Sequence, residues 1–256
     1  MSLRFHEIAE GDRRLLNPFS ERKLDLVGEI CRLEPGHRVL DLACGKGELL
    51  ARWSRRHGIA GTGVDLSEVF LAAARERAAE LGVTDRLTFE WGDAGAYRPE
   101  PGGYDLVGCI GATWIGGGLV GTVRLMRPAL APGGYLVVGE PFWHETPTPA
   151  GYAAMGVGPD DFADLVGTLD RFAEAGCELV EMVLGDLDEW DRYAAAQWLT
   201  VSDHLAAHPD APDADELRAW SDAARRTYLA HTRRTMGWGV FILRVVEWPA
   251  PPRPGS

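Results

Sequence analysis

Apolar runs and helical stretches alternate along residues 38 to about 140. Helices are predicted over 47–57, 67–81 and 117–131, the last closed by Pro132-Gly133-Gly134. Between them lie apolar runs of strand length: RVLDLA, GTGVDL, LTFEWG, YDLVGCIG and YLVVGEP. This alternation is typical of the βαβ units of a parallel, doubly wound α/β sheet, and the nearly continuous apolar strands indicate burial on both faces.

A long helical insertion separates the last two predicted strands. CELVEMVLGD, preceded by a helix near 162–175, is the sixth strand, and WGVFILRVVEW is the seventh. Residues 187–236 between them are predicted to form a helical cap, which the sequence HPDAP at 208–212 breaks into two helices. We expect residues 1–248 to form a single domain and the proline-rich residues 249–256 to form a disordered tail. A stripe of aromatic residues runs along the cap: Trp190, Tyr193, Trp198, Trp220 and Tyr228.

Composition and charge exclude several classes of partner. Hydrophobic residues make up 46% and charged residues 25% of the chain, and no window approaches the roughly 18 apolar residues of a membrane span. A net charge of -12 repels phosphate, so neither nucleic acid nor an anionic membrane is an expected partner. Residues 1–12 lack the pattern of a secretory signal, so we expect a cytoplasmic protein. Four cysteines occur singly, and neither a disulfide framework nor a metal site is predicted: Cys31, Cys44, Cys109 and Cys177.

The strongest local signal is the strand and turn VLDLACGKG at residues 39–47. Small residues in the turn let a ligand approach the backbone, and the start of the next helix offers free N–H groups. A dinucleotide-binding turn has the pattern G-x-G-x-x-G, and here Leu50 occupies the place of the third glycine. Asp41 at the strand end would repel a pyrophosphate but suits a cation, such as a sulfonium that carries an amino acid. The turn therefore favours a cationic ligand over NAD.

The sequence DLACGKG at 41–47 resembles motif I of the class I S-adenosylmethionine-dependent methyltransferases. Ala43 stands where the usual motif has its first glycine. The resemblance implies S-adenosyl-L-methionine as the cofactor and a Rossmann-like sheet of seven strands whose seventh strand is antiparallel. The predicted cap is then inserted between strands six and seven.

Acidic residues at the next strand ends fit the same family in the same order. Asp65 resembles the residue that binds both ribose hydroxyls, and a carboxylate, which only accepts hydrogen bonds, suits a diol. Asp93 resembles the residue that binds the adenine amino group, with Ala94 beside the ring, and Gly111 lies next to the expected sulfonium position. All of these positions lie at C-terminal strand ends, where open α/β sheets bind ligands. The expected cofactor-binding residues are Asp41, Ala43, Gly45, Gly47, Asp65, Leu66, Asp93, Ala94, Cys109 and Gly111.

Four further segments are similar to the YjhP-like group of bacterial methyltransferases. They are NPF at 17–19, GATWI at 111–115, GEPFW at 139–143 and MGWGVF at 236–241. The similarity extends over nearly the whole chain. It implies the fold and the cofactor, but it implies no particular substrate.

The segments that leave the fourth and fifth strands are best placed to face a methyl acceptor. Glu140 and His144 are the candidate catalytic residues, because either side chain can orient or deprotonate an acceptor. Alternatively, Glu140 forms a salt bridge with an arginine and His144 is an exposed loop residue. The expected residues of the substrate pocket are Trp114, Trp143, Tyr193 and Trp198. Aromatic rings at these positions would also serve to anchor the cap by packing.

These observations predict a methyltransferase that moves a methyl group from S-adenosylmethionine to O, N or C of an unidentified small molecule by in-line displacement. The acidic net charge favours an uncharged or cationic acceptor. Two alternatives stay open, since a fold does not fix a function. One is a non-catalytic protein that binds S-adenosylmethionine, and the other is a different S-adenosylmethionine- or NAD-dependent enzyme of the same fold. The sequence indicates no oligomeric state.

Overall fold

A seven-stranded sheet lies at the centre of the computed structural model, which describes residues 3–246. Its strands are β1 (Arg38–Leu42), β2 (Ala60–Asp65), β3 (Leu87–Trp91), β4 (Tyr104–Ile110), β5 (Leu130–Trp143), β6 (Cys177–Leu184) and β7 (Met236–Val245). The strand order is β3-β2-β1-β4-β5-β7-β6. Only β7 runs antiparallel to its neighbours, β5 and β6. This arrangement confirms the predicted doubly wound sheet with an antiparallel seventh strand.

Helices cover both faces of the sheet and its C-terminal edge. The described α-helices are α1 (Leu3–Ala9), α2 (Glu21–Ile30), α3 (Glu48–His57), α4 (Glu68–Glu80), α5 (Leu119–Met126), α6 (Pro149–Met155), α7 (Leu165–Glu174), α8 (Leu187–Ala207), α9 (Ala214–Thr227) and α10 (Arg233–Thr235). Short 3-10 turns cover Thr84–Arg86, Thr113–Gly116 and Arg127–Ala129, and a π-helical turn covers Tyr228–Thr232. The segment between β6 and β7 is helical, and its break falls between α8 and α9.

The helix predicted over 117–131 is shorter in the structure. Its α-helical part ends at Met126, and the chain passes through a 3-10 turn into β5 at Leu130. Pro128 explains the early end, because proline lacks the N–H of the next helical hydrogen bond and its ring clashes with the preceding turn. Leu130 then pairs with Tyr104 of β4.

Two apolar clusters, one on each face of the sheet, form the core. Val39 of β1 packs with α2 and α3, where the buried indole of Trp53 donates to the carbonyl oxygen of Leu24 at 3.0 Å. Its neighbour Leu40 faces the other side and packs in the cluster of α5 and α7, which includes Phe172. Because successive strand residues point to opposite faces, both layers of helices are anchored by the same strands.

The N-terminal helix α1 packs on the helices between β6 and β7. Ala9 of α1 contacts a small apolar cluster formed with Val201 of α8 and Leu217 of α9. The rings of Phe5 and Trp220 lie 6.0 Å apart. The roof over this edge of the sheet therefore combines the predicted cap with a segment from the opposite end of the chain.

None of the helices within residues 3–246 combines the length and the apolar character needed to cross a bilayer. The predicted disordered tail at 249–256 lies outside the described residues.

Candidate active site

A cavity of about 740 Å³ lies over the C-terminal ends of the parallel strands. Its volume falls within the range of roughly 300–1,000 Å³ that is usual for small-molecule sites. Three aspartates line it: Asp41 at the end of β1, Asp65 at the end of β2 and Asp93 just after β3. Gly111 and Ala112, which follow β4, line it as well. The cavity thus occupies the edge where open α/β sheets bind ligands.

Aromatic residues from the cap and from β7 line the cavity. Trp190 and Tyr193 come from α8, Trp220 from α9 and Trp238 from β7. Further lining residues come from α1 and from the segment between α1 and α2, and they include His6, Ala9, Arg14, Leu15, Leu16, Asn17, Pro18 and Phe19. The cavity is therefore acidic along the strand ends and mainly apolar, with several aromatic rings, along its roof.

The turn after β1 has an unusual backbone. Ala43 has φ 58° and Gly45 has φ 54°, both in the left-handed region. A Cβ at Gly45 would lie 2.8 Å from Cδ1 of Leu16, so the turn also needs a residue without a side chain. The N–H of Gly45 donates to Oδ2 of Asp65 at 2.8 Å, and the N–H of Ser67 donates to Oδ1 at 2.9 Å. Asp65 therefore fixes the turn after β1 relative to the turn after β2.

Asp41 is a buried carboxyl group without a cationic partner. Only 3% of the residue is exposed, and it forms no salt bridge within residues 3–246. Burial, together with the nearby negative charge of Asp65, raises the pKa of Asp41 to about 8. A cation bound in the cavity would remove this penalty by favouring the ionised carboxylate.

The turns after β2 and β3 are held together by hydrogen bonds. The indole of Trp91 donates to the carbonyl oxygen of Leu66 at 2.9 Å, and Oδ1 of Asp93 accepts from the N–H of Gly95 at 2.9 Å. Leu66, Asp93 and Ala94 all line the cavity. An apolar side chain and a fixed carboxylate thus lie together at this end of the site.

Asn17 lies against the end of β4. Its Nδ2 donates to the carbonyl oxygen of Ile110 at 3.2 Å. Its Oδ1 lies so close to Gly111 that a Cβ there would be only 2.2 Å away. Gly111 therefore leaves room for the carboxamide of Asn17 beside the sheet.

Comparison with known proteins establishes the family. Residues 39–134 match the family model described as methyltransferase domain. The uncharacterized protein YjhP of Escherichia coli (strain K12) is 44% identical over 242 residues, which are 94% of this chain and 97% of that protein. A crystal structure that is 45% identical to this chain is that of an S-adenosylmethionine-dependent methyltransferase from Geobacter sulfurreducens. The chain belongs to the S-adenosylmethionine-dependent methyltransferases.

The Geobacter sulfurreducens protein and one more distant relative are both similar to this methyltransferase. The Geobacter sulfurreducens structure is a complex with S-adenosyl-L-homocysteine. It superposes with a TM-score of 0.91 and covers 94% of this chain and 98% of that one. The 27-O-demethylrifamycin SV methyltransferase of Amycolatopsis mediterranei (strain S699) is 28% identical over 58% of this chain and 54% of that protein.

The cavity of the methyltransferase fits its cofactor, S-adenosyl-L-methionine. The cofactor carries an amino group and a sulfonium, both cationic, and Asp41 is a buried carboxyl group that lacks a cation. The cofactor also carries a ribose diol and an adenine amino group, which donate hydrogen bonds, and Asp65 and Asp93 are acceptors at the same strand ends. The charge and the hydrogen-bonding character of the site therefore match S-adenosyl-L-methionine.

Two of the expected cofactor residues do not line the cavity. Cys109 is fully buried in the core on the α5 side of the sheet, where burial raises the pKa of its thiol. Its neighbour Ile110 points the other way and lines the cavity, since side chains alternate along a strand. Gly47 is the N-cap of α3, beneath the turn. The other expected cofactor residues all line the cavity: Asp41, Ala43, Gly45, Asp65, Leu66, Asp93, Ala94 and Gly111.

The candidate catalytic residues also lie outside the cavity lining. Glu140 is only 2% exposed, and Oγ1 of Thr113 donates to its Oε2 at 2.6 Å. Burial raises the pKa of Glu140 to about 7, although the hydrogen bond from Thr113 opposes the rise. His144 is exposed, with its ring edge against Phe142 at a centroid distance of 4.8 Å. The structure does not bring these two side chains together with the strand-end carboxylates.

The four expected pocket residues divide into two pairs. Trp114 and Tyr193 line the cavity. Trp143 is buried between the rings of Tyr152 and Phe162. Trp198 packs edge-on against Tyr228 at 5.8 Å, so both residues serve packing and do not line the cavity.

Several lining residues were not identified from the sequence as pocket residues. Gln197 lies one helical turn after Tyr193, and this i,i+4 spacing was a readable signal that both face one side of α8. Asn17 was visible only as part of a segment that resembles the family. Trp238 belongs to a predicted strand, and nothing local distinguishes it from a core residue.

Proposed function

We propose that this chain transfers the methyl group of S-adenosylmethionine to O, N or C of a small organic molecule held in the same cavity. The proposal rests on one observation: a single cavity is lined by three strand-end carboxylates on one side and by aromatic rings on the other. The carboxylates suit the cofactor and the rings suit an apolar acceptor. A relative that methylates 27-O-demethylrifamycin SV supports a small-molecule acceptor.

The cofactor residues have distinct proposed roles. Asp41 holds the cationic end of the cofactor. Asp65 accepts from the ribose hydroxyls, and its own hydrogen bonds from Gly45 and Ser67 fix its orientation. Asp93 accepts from the adenine amino group, with Leu66 and Ala94 packing on the ring.

When bound, the cofactor supplies an electrophilic methyl carbon, which bonds to the acceptor as the carbon–sulfur bond breaks and its electron pair stays on sulfur. The chain contributes positioning and exclusion of water. The helices between β6 and β7, together with α1, cover the cavity. The proton lost from the acceptor atom goes to bulk water when the product leaves the cavity.

Glu140 acts in this proposal as a positioning residue. Its partner Thr113 begins the 3-10 turn Thr113–Gly116, and Trp114 and Ile115 of that turn line the cavity. The buried carboxyl group therefore supports the part of the wall that an acceptor would contact. The proposal assigns no role in proton transfer to His144.

The test is turnover. Purified protein is incubated with S-adenosylmethionine and either a panel of phenols, amines and heteroaromatic compounds or a small-molecule cell extract. We expect acceptor-dependent formation of S-adenosylhomocysteine and a product that gains one methyl group, both detected by mass spectrometry. With S-adenosylmethionine below saturation, Asp65→Ala should reduce both signals, whereas Asp105→Ala, the same change at the opposite edge of the sheet, should retain them.

A different outcome would point to the non-catalytic alternative. Tight binding of S-adenosylmethionine with no product from any mixture would indicate a binding protein and contradict the proposed transfer. Binding alone does not distinguish the two functions, so turnover is the deciding measurement.

A further inference from the structure

A buried polar cluster lies behind the roof of the cavity. Glu10, which follows α1, is fully buried. Its Oε1 accepts hydrogen bonds from the hydroxyl of Tyr193 at 2.7 Å and from Nε2 of Gln197 at 2.6 Å. Tyr193 and Gln197 also line the cavity. The carboxylate of Glu10 therefore sets the orientation of two side chains that a bound molecule would contact.

The hydrogen bonds to Glu10 determine which hydrogen bonds Tyr193 and Gln197 can still form with a bound molecule. The amide nitrogen of Gln197 faces Glu10, so the amide oxygen of Gln197 is left as an acceptor. Tyr193 donates its single hydroxyl proton to Glu10, so its hydroxyl oxygen can only accept a further hydrogen bond. Burial and the charge of Glu10 raise the pKa of the Tyr193 hydroxyl, so it keeps that proton.

Asn17, at the sheet side of the cavity, also donates to the protein and leaves an oxygen free to accept. Its Nδ2 donates to the carbonyl oxygen of Ile110, and Oδ1 is left as an acceptor beside Gly111. Of the two cationic side chains that line the cavity, Lys46 donates to the carbonyl oxygens of Glu10 and Gly11. Arg14, the other one, pairs with Glu80 at 2.9 Å.

The remaining wall is largely apolar, and four tryptophans contribute to it. These tryptophans are Trp114, Trp190, Trp220 and Trp238, and aliphatic side chains lie between them. Flat apolar groups pack well against such rings. A molecule held here would contact aromatic faces along its body and hydrogen-bond acceptors at the cap and at the sheet.

We propose that the methyl acceptor is a flat, largely apolar molecule that carries hydrogen-bond donors, and that Tyr193, Gln197 and Asn17 select it over molecules that only accept hydrogen bonds. This inference rests on the proposed function, because it names the class of acceptor that the cavity takes. The donors are hydroxyl, amine or ring N–H groups. Glu10 is the positioning residue, since it acts through Tyr193 and Gln197.

The test uses two probes that share one ring system, 2-naphthol and 2-methoxynaphthalene. The first carries an O–H donor, and the second replaces it with a methyl ether. Both are titrated by calorimetry into protein saturated with S-adenosylhomocysteine. We expect 2-naphthol to bind about tenfold more tightly, the effect of one hydrogen bond and the desolvation of its partner.

Variants separate the roles of the cluster. Tyr193→Phe and Gln197→Leu should weaken 2-naphthol and leave 2-methoxynaphthalene unchanged. Glu10→Gln should abolish the preference, because a neutral amide also donates and frees both neighbours to turn their donors toward the cavity. Tyr228→Phe is the matched control: its hydroxyl bonds to Asp191 in the cap but its ring does not line the cavity, so the preference should persist.

The outcomes separate this inference from the proposed function. If the wild-type protein does not bind S-adenosylhomocysteine, the proposed function fails. If it binds S-adenosylhomocysteine but shows equal affinity for the two probes, or binds neither, the inference is overturned and the cofactor assignment stands. Retention of the preference in both Tyr193→Phe and Gln197→Leu would also overturn it.

Discussion

Asp41 is the residue whose chemistry depends most on the ligand. Its pKa of about 8 in the free protein reflects burial and the negative charge of Asp65. A bound cation favours the ionised form and must lower that pKa, so below about pH 8 cofactor binding releases a proton from this carboxyl group. The affinity for the cofactor should therefore fall as the pH decreases below about 8.

Calorimetry at pH 7 in two buffers with different ionisation enthalpies measures the released proton. We expect net proton release in the wild-type protein and none attributable to this site in Asp41→Asn, which should also bind more weakly. Binding that releases no proton and has the same affinity at pH 6 and pH 9 would show that Asp41 does not face the cationic group.

Ala43 adopts a backbone conformation that alanine disfavours. A left-handed residue with a Cβ costs roughly 1–2 kcal/mol, whereas glycine costs about 0.5–1 kcal/mol in chain entropy. Ala43→Gly should therefore leave the free energy of unfolding unchanged or raise it by up to about 1 kcal/mol. Denaturant titration measures the change, and a clear loss of stability would contradict the strain argument.

Gly45→Ala is expected to lower the free energy of unfolding. It adds the left-handed penalty and a contact 2.8 Å from Leu16, so it should cost more than about 1 kcal/mol. Gly82→Ala isolates the backbone part, because Gly82 has φ 67° and no heavy atom near its missing Cβ. Equal losses for the two variants would mean that the contact with Leu16 contributes nothing.

Single residues were predictable where a strand end and a family motif coincided. Asp41, Asp65 and Asp93 satisfy both conditions, and all three line the cavity. Glu10 was missed because its hydrogen bond to Gln197 joins residues 187 positions apart. Local patterns do not reveal such a pairing, since it exists only once α1 packs on α8.

At the scale of elements, the 3-10 turn Thr113–Gly116 depends on a buried carboxyl group. Burial raises the pKa of Glu140 from 4.5 to about 7. The protonated form therefore stabilises the folded protein fully below pH 4.5, and this stabilisation is lost as the pH rises through 7. The hydroxyl of Thr113 favours the ionised form. Thr113→Val should therefore destabilise the protein by about 1–3 kcal/mol above pH 8 and by less at pH 5.5.

A double-mutant cycle checks this assignment. In a Glu140→Gln background, the cost of Thr113→Val in urea unfolding should no longer depend on pH, because the ionisable partner is gone. The same pH dependence in both backgrounds would rule out the contact between Thr113 and Glu140 as its source.

Element types were easier to predict than element ends and contacts. The strands were identified because apolar runs bounded by turn residues are short and regular. The helix predicted over 117–131 was too long, since the apolar pattern continues through Pro128 while the hydrogen bonding does not. The helices between β6 and β7 follow the predicted break, but their packing with α1 is a long-range contact that no local pattern encodes.

For the whole molecule, the position of the cavity follows from the order of the strands. Parallel strands bring their carboxyl ends to one edge, and helices from both ends of the chain cover that edge. The net charge of -12 does not reveal the chemistry of the cavity. Its lining combines carboxylates at one side with aromatic rings at the other. Charge over the whole chain describes its surface, whereas specificity resides in the few residues that meet in the cavity.

The central claim is that the strand-end carboxylates hold S-adenosylmethionine. Calorimetric titration of the purified chain with S-adenosylmethionine, S-adenosylhomocysteine and NAD tests it most directly, with Asp65→Ala as the site variant and Asp105→Ala as its matched control. We predict micromolar binding of the first two ligands and none of NAD, a loss of about 1–3 kcal/mol in Asp65→Ala, and no change in Asp105→Ala. Preferential binding of NAD, or unchanged affinity in Asp65→Ala, would contradict the account.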